Sequence, residues 1–250
     1  MVKTKIGFKT WDISYDGPGK IDLPVLEMAS KDAKFGFRKK SLDKVKTLTK
    51  GKDLSMHTQT KRVFTDKNKI LRELEITTLK AEILACSYLG CKELIVHLKQ
   101  EKLTTQEIKL FSELLNFARK NKVEILYEPN GNFIAKNFLY NLSKFPKLNV
   151  NLDLCHLGMA VENKTLGIEL NDFLKKVRKK VVYIHASAYD GQEEHHGLDK
   201  GKLNWREVLN QLDFSKIEKI IIELHHFEDF KETKKALEDY LKKDRMLTPK

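Results

Sequence analysis

Short apolar runs alternate with longer stretches of helical period along the whole chain. The runs are Lys5–Thr10, Val25–Ala29, Asp53–His57, Leu94–His97, Ile125–Glu128, Leu148–Asp153, Val181–His185 and Ile220–Glu223. Each has the length of a buried strand and ends at a turn signal or a polar residue. Between them, Ser41 offers an N-cap for a helix reaching about Lys50, and a long helix runs from about Asp66 to Tyr88. That helix carries an apolar stripe of Ile70, Leu74, Ala81, Leu84 and Tyr88 on one face. Thr104 and Glu107 have capping-box spacing and open a helix whose Ile108, Phe111, Leu114, Leu115 and Ala118 form a core stripe. Further helical patterns pass through Phe138 and Leu142, Leu170 to Lys180, Trp205 to Leu212, and Thr233 to Leu241. Strands alternating with helices imply a parallel sheet, and eight of them imply a closed (β/α)8 TIM barrel spanning residues 1–250 as one domain. An open doubly wound sheet is the other arrangement, but neither a G-x-G-x-x-G nor a P-loop pattern supports it.

Composition narrows the class. At 41% hydrophobic and 33% charged residues, the chain has enough apolar side chains for a core and too many for a disordered polymer. No apolar run approaches the ~20 residues of a membrane span, and MVKTKIGFKT reads as a charged lead into a strand, so a cytoplasmic protein without membrane attachment is expected. Cys86, Cys91 and Cys155 have neither disulfide-framework nor zinc-ribbon spacing and read as packing. The net charge of +12 would favour phosphate-bearing partners. Lys-rich helix ends such as Arg178-Lys179-Lys180 are also ordinary solvated surface, so charge alone decides little.

The candidate chemistry lies at the ends of the runs. In a βα barrel the C-terminal ends of the strands face the active site. Here six consecutive runs end in His57, His97, Glu128, Asp153, His185 and Glu223. His156 follows three residues after Asp153, and the loop after the seventh run holds Glu193, Glu194, His195 and His196. One polar residue ending a strand is ordinary. Several carboxylates and imidazoles buried in one mouth would be costly without a cation, by several kcal/mol per uncompensated ion. A metal centre at the C-terminal rim is therefore expected, and imidazole with carboxylate suits Zn, Mn, Fe or Co.

These endings, with D-x-C-H at Asp153–His156, acid-x-His at Glu193–His195 and the following Lys200-Gly201, resemble the xylose isomerase-like barrel superfamily, and in detail its endonuclease IV branch. The resemblance implies up to three zinc ions. His57, His97 and Glu128 would hold the first. Asp153, His185 and Glu223 would hold the second, with Glu128 bridging, and His156, Glu193 and His195 the third. It further implies a phosphodiester hydrolase acting on abasic-site DNA or a related phosphodiester, with Glu128 and Glu223 as catalytic carboxylates. Arg38, Lys61, Arg62 and Lys200 would then hold phosphate, and Phe37 would wedge beside a base step. The same superfamily implies an alternative, a sugar or sugar-phosphate isomerase or epimerase. One Mn, Mg or Co would be held by Glu128, Asp153, His185 and Glu223, with the two glutamates moving a proton. A barrel that binds metal or ligand without turnover is the third possibility. No obligate protein partner is evident.

Overall fold

A computed structural model of the chain describes residues 4–10, 23–29, 38–59, 63–65, 68–225 and 227–247. Eight strands close in sequence order, each parallel to its neighbours, with β1 also pairing β8. They are β1 (Lys5–Thr10), β2 (Val25–Ala29), β3 (Asp53–His57), β4 (Glu93–His97), β5 (Glu124–Glu128), β6 (Asn149–Asp153), β7 (Val181–Ala186) and β8 (Lys219–Ile222). The helices are α1 (Lys39–Leu48), α2 (Lys69–Leu89), α3 (Thr105–Lys120), α4 (Ala135–Ser143), α5 (Leu154–Glu162), α6 (Leu170–Val177), α7 (Trp205–Asn210) and α8 (Phe230–Leu247). The fold is the expected (β/α)8 TIM barrel. No helix among the described residues is long and apolar enough to cross a membrane.

Alternation along each strand sorts the barrel interior into layers. At the bottom, the Lys219 ammonium lies 2.9 Å from Asp53 and 2.6 Å from Glu93, and Lys5 adds a 2.7 Å contact to Asp53. The middle layer is apolar and built from Val25, Ile95, Leu126, Tyr183 and Ile221. Gly7 completes it, because a Cβ there would meet Ile221 at 2.5 Å and Val25 at 2.7 Å. Two residues further along the strands come Lys9, Glu27, His97, Glu128, Asp153, His185 and Glu223, all buried, with His57 half-buried beside them. The charged upper layer is thus the interior phase of the strands emerging at their C-terminal ends.

The larger core lies between sheet and helices. The α3 capping box forms as its spacing predicts, and Phe111, Leu114, Leu115 and Ala118 are buried. Other helix boundaries differ from expectation. Arg38, rather than Ser41, is the N-cap of α1, and Asn68 caps α2 by accepting from the Ile70 N–H. The expected stripe of α2 faces outward: Ile70 is 68% and Leu74 56% exposed, while Leu79, Ile83, Cys86 and Leu89 pack inward. The inward set includes Glu82, which accepts from Thr58 Oγ1 and the Gln59 N–H, so an apolar count alone selects the wrong face. The pattern also gives no sign of α5, which starts directly after β6.

Candidate metal centre

Glu128, at the end of β5, lies among four imidazoles. His57 Nε2 is 3.5 Å away, His97 Nε2 3.7 Å, His156 Nδ1 3.4 Å and His185 Nδ1 3.3 Å. Asn151, on the same face of the neighbouring strand, donates to Glu128 Oε2 at 2.7 Å. Burial alone would push the Glu128 carboxyl up, but His185 and His97 hold it well below the ordinary range. Burial drives His97 down to about 3, a neutral imidazole at working pH. At His156 burial again disfavours the proton, yet the Asp153 and Glu128 carboxylates lift it to about 9. The carboxylates draw positive charge toward themselves, which is what a bound cation supplies.

The outer nitrogens of the histidines are held in place. His57 Nδ1 lies 3.0 Å from the Thr58 carbonyl and His97 Nδ1 3.2 Å from the Glu128 carbonyl. A carbonyl can only accept, so Nδ1 carries the proton and Nε2 keeps its lone pair toward the mouth. His185 is oriented the other way round. Its Nε2 lies 3.0 Å from Glu27 Oε2, which also accepts from the Tyr183 hydroxyl at 2.8 Å. Its Nδ1 then faces three carboxylates: Glu223 Oε2 at 2.7 Å, Glu128 Oε2 at 3.3 Å and Asp153 Oδ2 at 3.6 Å.

Asp153 also serves as the N-cap of α5, with Oδ1 accepting from the His156 N–H at 2.8 Å. Its Oδ2 is buried and has no hydrogen-bond partner among the described residues, and His185 Nδ1 and Glu223 Oε2, 2.7 Å apart, make no well-directed hydrogen bond. Convergent buried ligand atoms without hydrogen bonds are what a divalent cation satisfies. The residues fit one.

Ligand-competent atoms lie within 4.8 Å of one another in several groups: His57, His97 and Glu128; Glu128, Asp153 and His156; Asp153, His195 and Glu223; and His156, Glu194 and His195. The loop after β7 explains why Glu194 rather than Glu193 joins the last. Ala188 and His196 exchange backbone hydrogen bonds, and Asp190 accepts from the Gln192 and Glu193 N–H groups. His195 then takes a left-handed φ of 63° and turns its ring inward, where Nδ1 meets Ser187 Oγ at 3.0 Å. Glu193 points outward, its side chain 68% exposed and 3.4 Å from His196 Nε2. Lys200 is paired with Asp229 at 2.7 Å, and Arg38 is exposed at the start of α1. Phe37, Lys61 and Arg62 lie outside the described residues.

Two buried residues of this layer are not legible as functional in the sequence pattern alone. Lys9 Nζ is 2.6 Å from Glu223 Oε1 and 3.6 Å from Glu27 Oε1. The sequence shows only that Lys9 and Glu27 are charged residues, each inside an apolar run.

A family model described as xylose isomerase-like TIM barrel matches residues 4–244. No curated protein matches the sequence. Among solved structures, a D-tagatose 3-epimerase-like protein superposes with a TM-score of 0.79 at 16% identity, covering 96% of this chain and 97% of that one. A Thermus thermophilus protein soaked with zinc chloride gives 0.74 at 14%, covering 95% and 98%. The D-psicose 3-epimerase of Clostridium cellulolyticum, solved with D-tagatose, gives 0.66 at 13%, covering 88% and 85%. At these identities the likeness establishes the fold.

Proposed function

The chain belongs to the xylose isomerase-like TIM barrel family, and from that premise we propose that it is a divalent-metal-dependent isomerase or epimerase of a small sugar or sugar derivative. The observation that carries the reading is the convergence of Glu128, Asp153 and Glu223 on His185 Nδ1 within 3.6 Å. Four ligands from four consecutive strand ends make a compact cradle for one ion. That solved structures of similar fold carry epimerase names supports the same direction.

The bound ion would be a Lewis acid for neighbouring carbonyl and hydroxyl oxygens of the substrate. The chain's own residues would do the rest. A carbon-bound hydrogen beside a carbonyl is acidic enough for a carboxylate to remove when the reacting atoms are held in place. Glu128 and Glu223, on β5 and just beyond β8, would take that proton and return one to carbon. Glu223 is fixed through Oε1 by Lys9, which leaves Oε2 toward the centre. His57, His97 and His195 would donate to or accept from sugar hydroxyls, and the buried layer beneath would limit water.

A second reading, a multinuclear zinc phosphodiesterase, is favoured by the additional groups His57–His97–Glu128 and His156–Glu194–His195. Elemental analysis of protein purified without added metal or chelator, followed by assays of each class, separates the two. The expected result is one Mn, Mg or Co per chain and interconversion of ketoses followed by chromatography, lost in Glu223→Gln. Close to three zinc ions per chain with incision of abasic duplex DNA would overturn the isomerase reading.

A further inference from the structure

The outward face of α2 has the form of an interhelical seam. Ile70, Leu74, Thr77, Ala81, Leu84 and Tyr88 follow one another at alternating steps of four and three residues, the 3.5-residue repeat of a coiled-coil contact. Among the described residues, Ile70, Leu71, Leu74, Leu84 and Tyr88 supply most of the large apolar side chains that stand exposed; Leu48, Ile134 and Phe227 are the others. Leu48 belongs to α1, the helix packed beside α2. The barrel needs none of these side chains for its own core, since the opposite face of α2 is already buried against it.

We propose that this face is a twofold interface between two copies of the chain, with the two α2 helices packed antiparallel about an axis near Thr77. In that register Ile70 meets the partner's Leu84, and Leu74 meets the partner's Ala81, while Thr77 and Ala81 are small enough to let the backbones approach. The charges select this arrangement. Glu73 and Lys80 flank the seam on one side, both exposed. Glu73 has an exposed in-helix neighbour, Lys69, at 3.9 Å. Antiparallel packing sets each Glu73 opposite the partner's Lys80, twice by symmetry. Parallel packing would instead set both against Thr78 and Ala85, which offer no charge.

The exposed apolar side chains present on the order of 500 Å² per copy, at the upper end of a monomer's largest patch. Doubled by the twofold axis, this reaches about the 1,000 Å² at which a specific interface begins. The interface is isologous, so it closes at two copies.

Sedimentation velocity of the full chain over the micromolar range tests the proposal, with Leu74→Glu, Glu73→Lys and the exchange pair Glu73→Lys/Lys80→Glu beside it. The expected result is a dimer that Leu74→Glu abolishes, that Glu73→Lys weakens at least tenfold, and that the exchange pair restores. All sites are exposed, and unchanged circular dichroism and melting temperature would show that each variant folds. A monomer across the whole range overturns the proposal. So does a dimer indifferent to these substitutions, which would place the contact on another face.

Discussion

Lys9 Nζ lies 2.6 Å from Glu223 Oε1, and both side chains are almost wholly buried. A lysine on β1 and a glutamate just beyond β8 meet because the barrel closes between those two strands. Glu27 stands 3.6 Å from the same ammonium and holds His185 by its far nitrogen. The upper layer therefore contains a permanent cation of its own, covalently attached, on the side of Glu223 away from His185. Burial opposes the charge on Lys9, and the carboxylates of Glu223, Glu27 and Glu128 outweigh it, raising the ammonium above its ordinary value.

Lys9→Met removes that cation and leaves Glu27 and Glu223 facing each other in the interior. Breaking a buried ion pair from one side costs about 3–5 kcal/mol. That loss is expected in urea denaturation with chelator present. With saturating divalent metal it should shrink, because a bound ion would neutralise Glu223, the carboxylate nearest Lys9. Equal losses under both conditions would show that Lys9 and the metal do not share an electrostatic field.

Glu27→Gln addresses the orientation of His185. The carboxylate accepts from Nε2 and so directs Nδ1 into the site; an amide can present its NH₂ group there and favour the wrong tautomer. Partners of this kind typically change metal affinity by 10–100-fold. Calorimetric titration with Mn²⁺ or Co²⁺ should show weakening of that order, and an unchanged affinity would remove Glu27 from the centre.

His97→Ala separates the two functional readings. Its Nε2 is 3.7 Å from Glu128 Oε1, at the edge of the cradle formed around His185. Under the isomerase reading the metal content stays at one per chain, kcat changes little, and KM for the sugar rises about tenfold, the loss of roughly one hydrogen bond. A fall in bound metal together with loss of turnover would instead make His97 a ligand of a multinuclear site.

Much of this is legible in the chain because a barrel strand is short and its two faces are simple. The eight apolar runs fall on the eight strands to within a residue or two, and the ends at His57, His97, Glu128, Asp153, His185 and Glu223 meet at one rim. Lys9 and Glu27 escape notice because they lie inside runs, where only the closed barrel reveals which alternate positions face inward. Glu193 and Glu194 cannot be ranked from sequence, since the left-handed turn at His195 decides which points to the mouth. The outward stripe of α2 misleads for a related reason. Apolar periodicity marks a face that could be covered and does not say by what.

The bottom of the barrel gives a prediction whose sign depends on pH. Lys219 joins two carboxylates that behave oppositely. Burial would raise Asp53, but the hydrogen bonds of Lys5 and Lys219 prevail and lower it. At Glu93 burial prevails and the carboxyl is raised, in spite of Lys219 at 2.6 Å. A lowered folded-state value means that ionised Asp53 stabilises the fold above its unfolded value, about 3.9, and that this is lost as pH falls through the folded value. A raised value means that the Glu93 contribution is fully present below its unfolded value and declines as pH rises through the folded value. Lys219→Met deprives both carboxylates of their shared cation. At neutral pH the variant should lose about 3–5 kcal/mol, as a buried charge left unpaired does. On acidification Glu93 takes up a proton before Asp53 does, so the difference between variant and parent should narrow from pH 7 toward pH 5. Urea midpoints at the two values measure it. A difference that stays constant or widens on acidification would mean that Glu93 is not the group bearing the cost, and would place it on Asp53 instead.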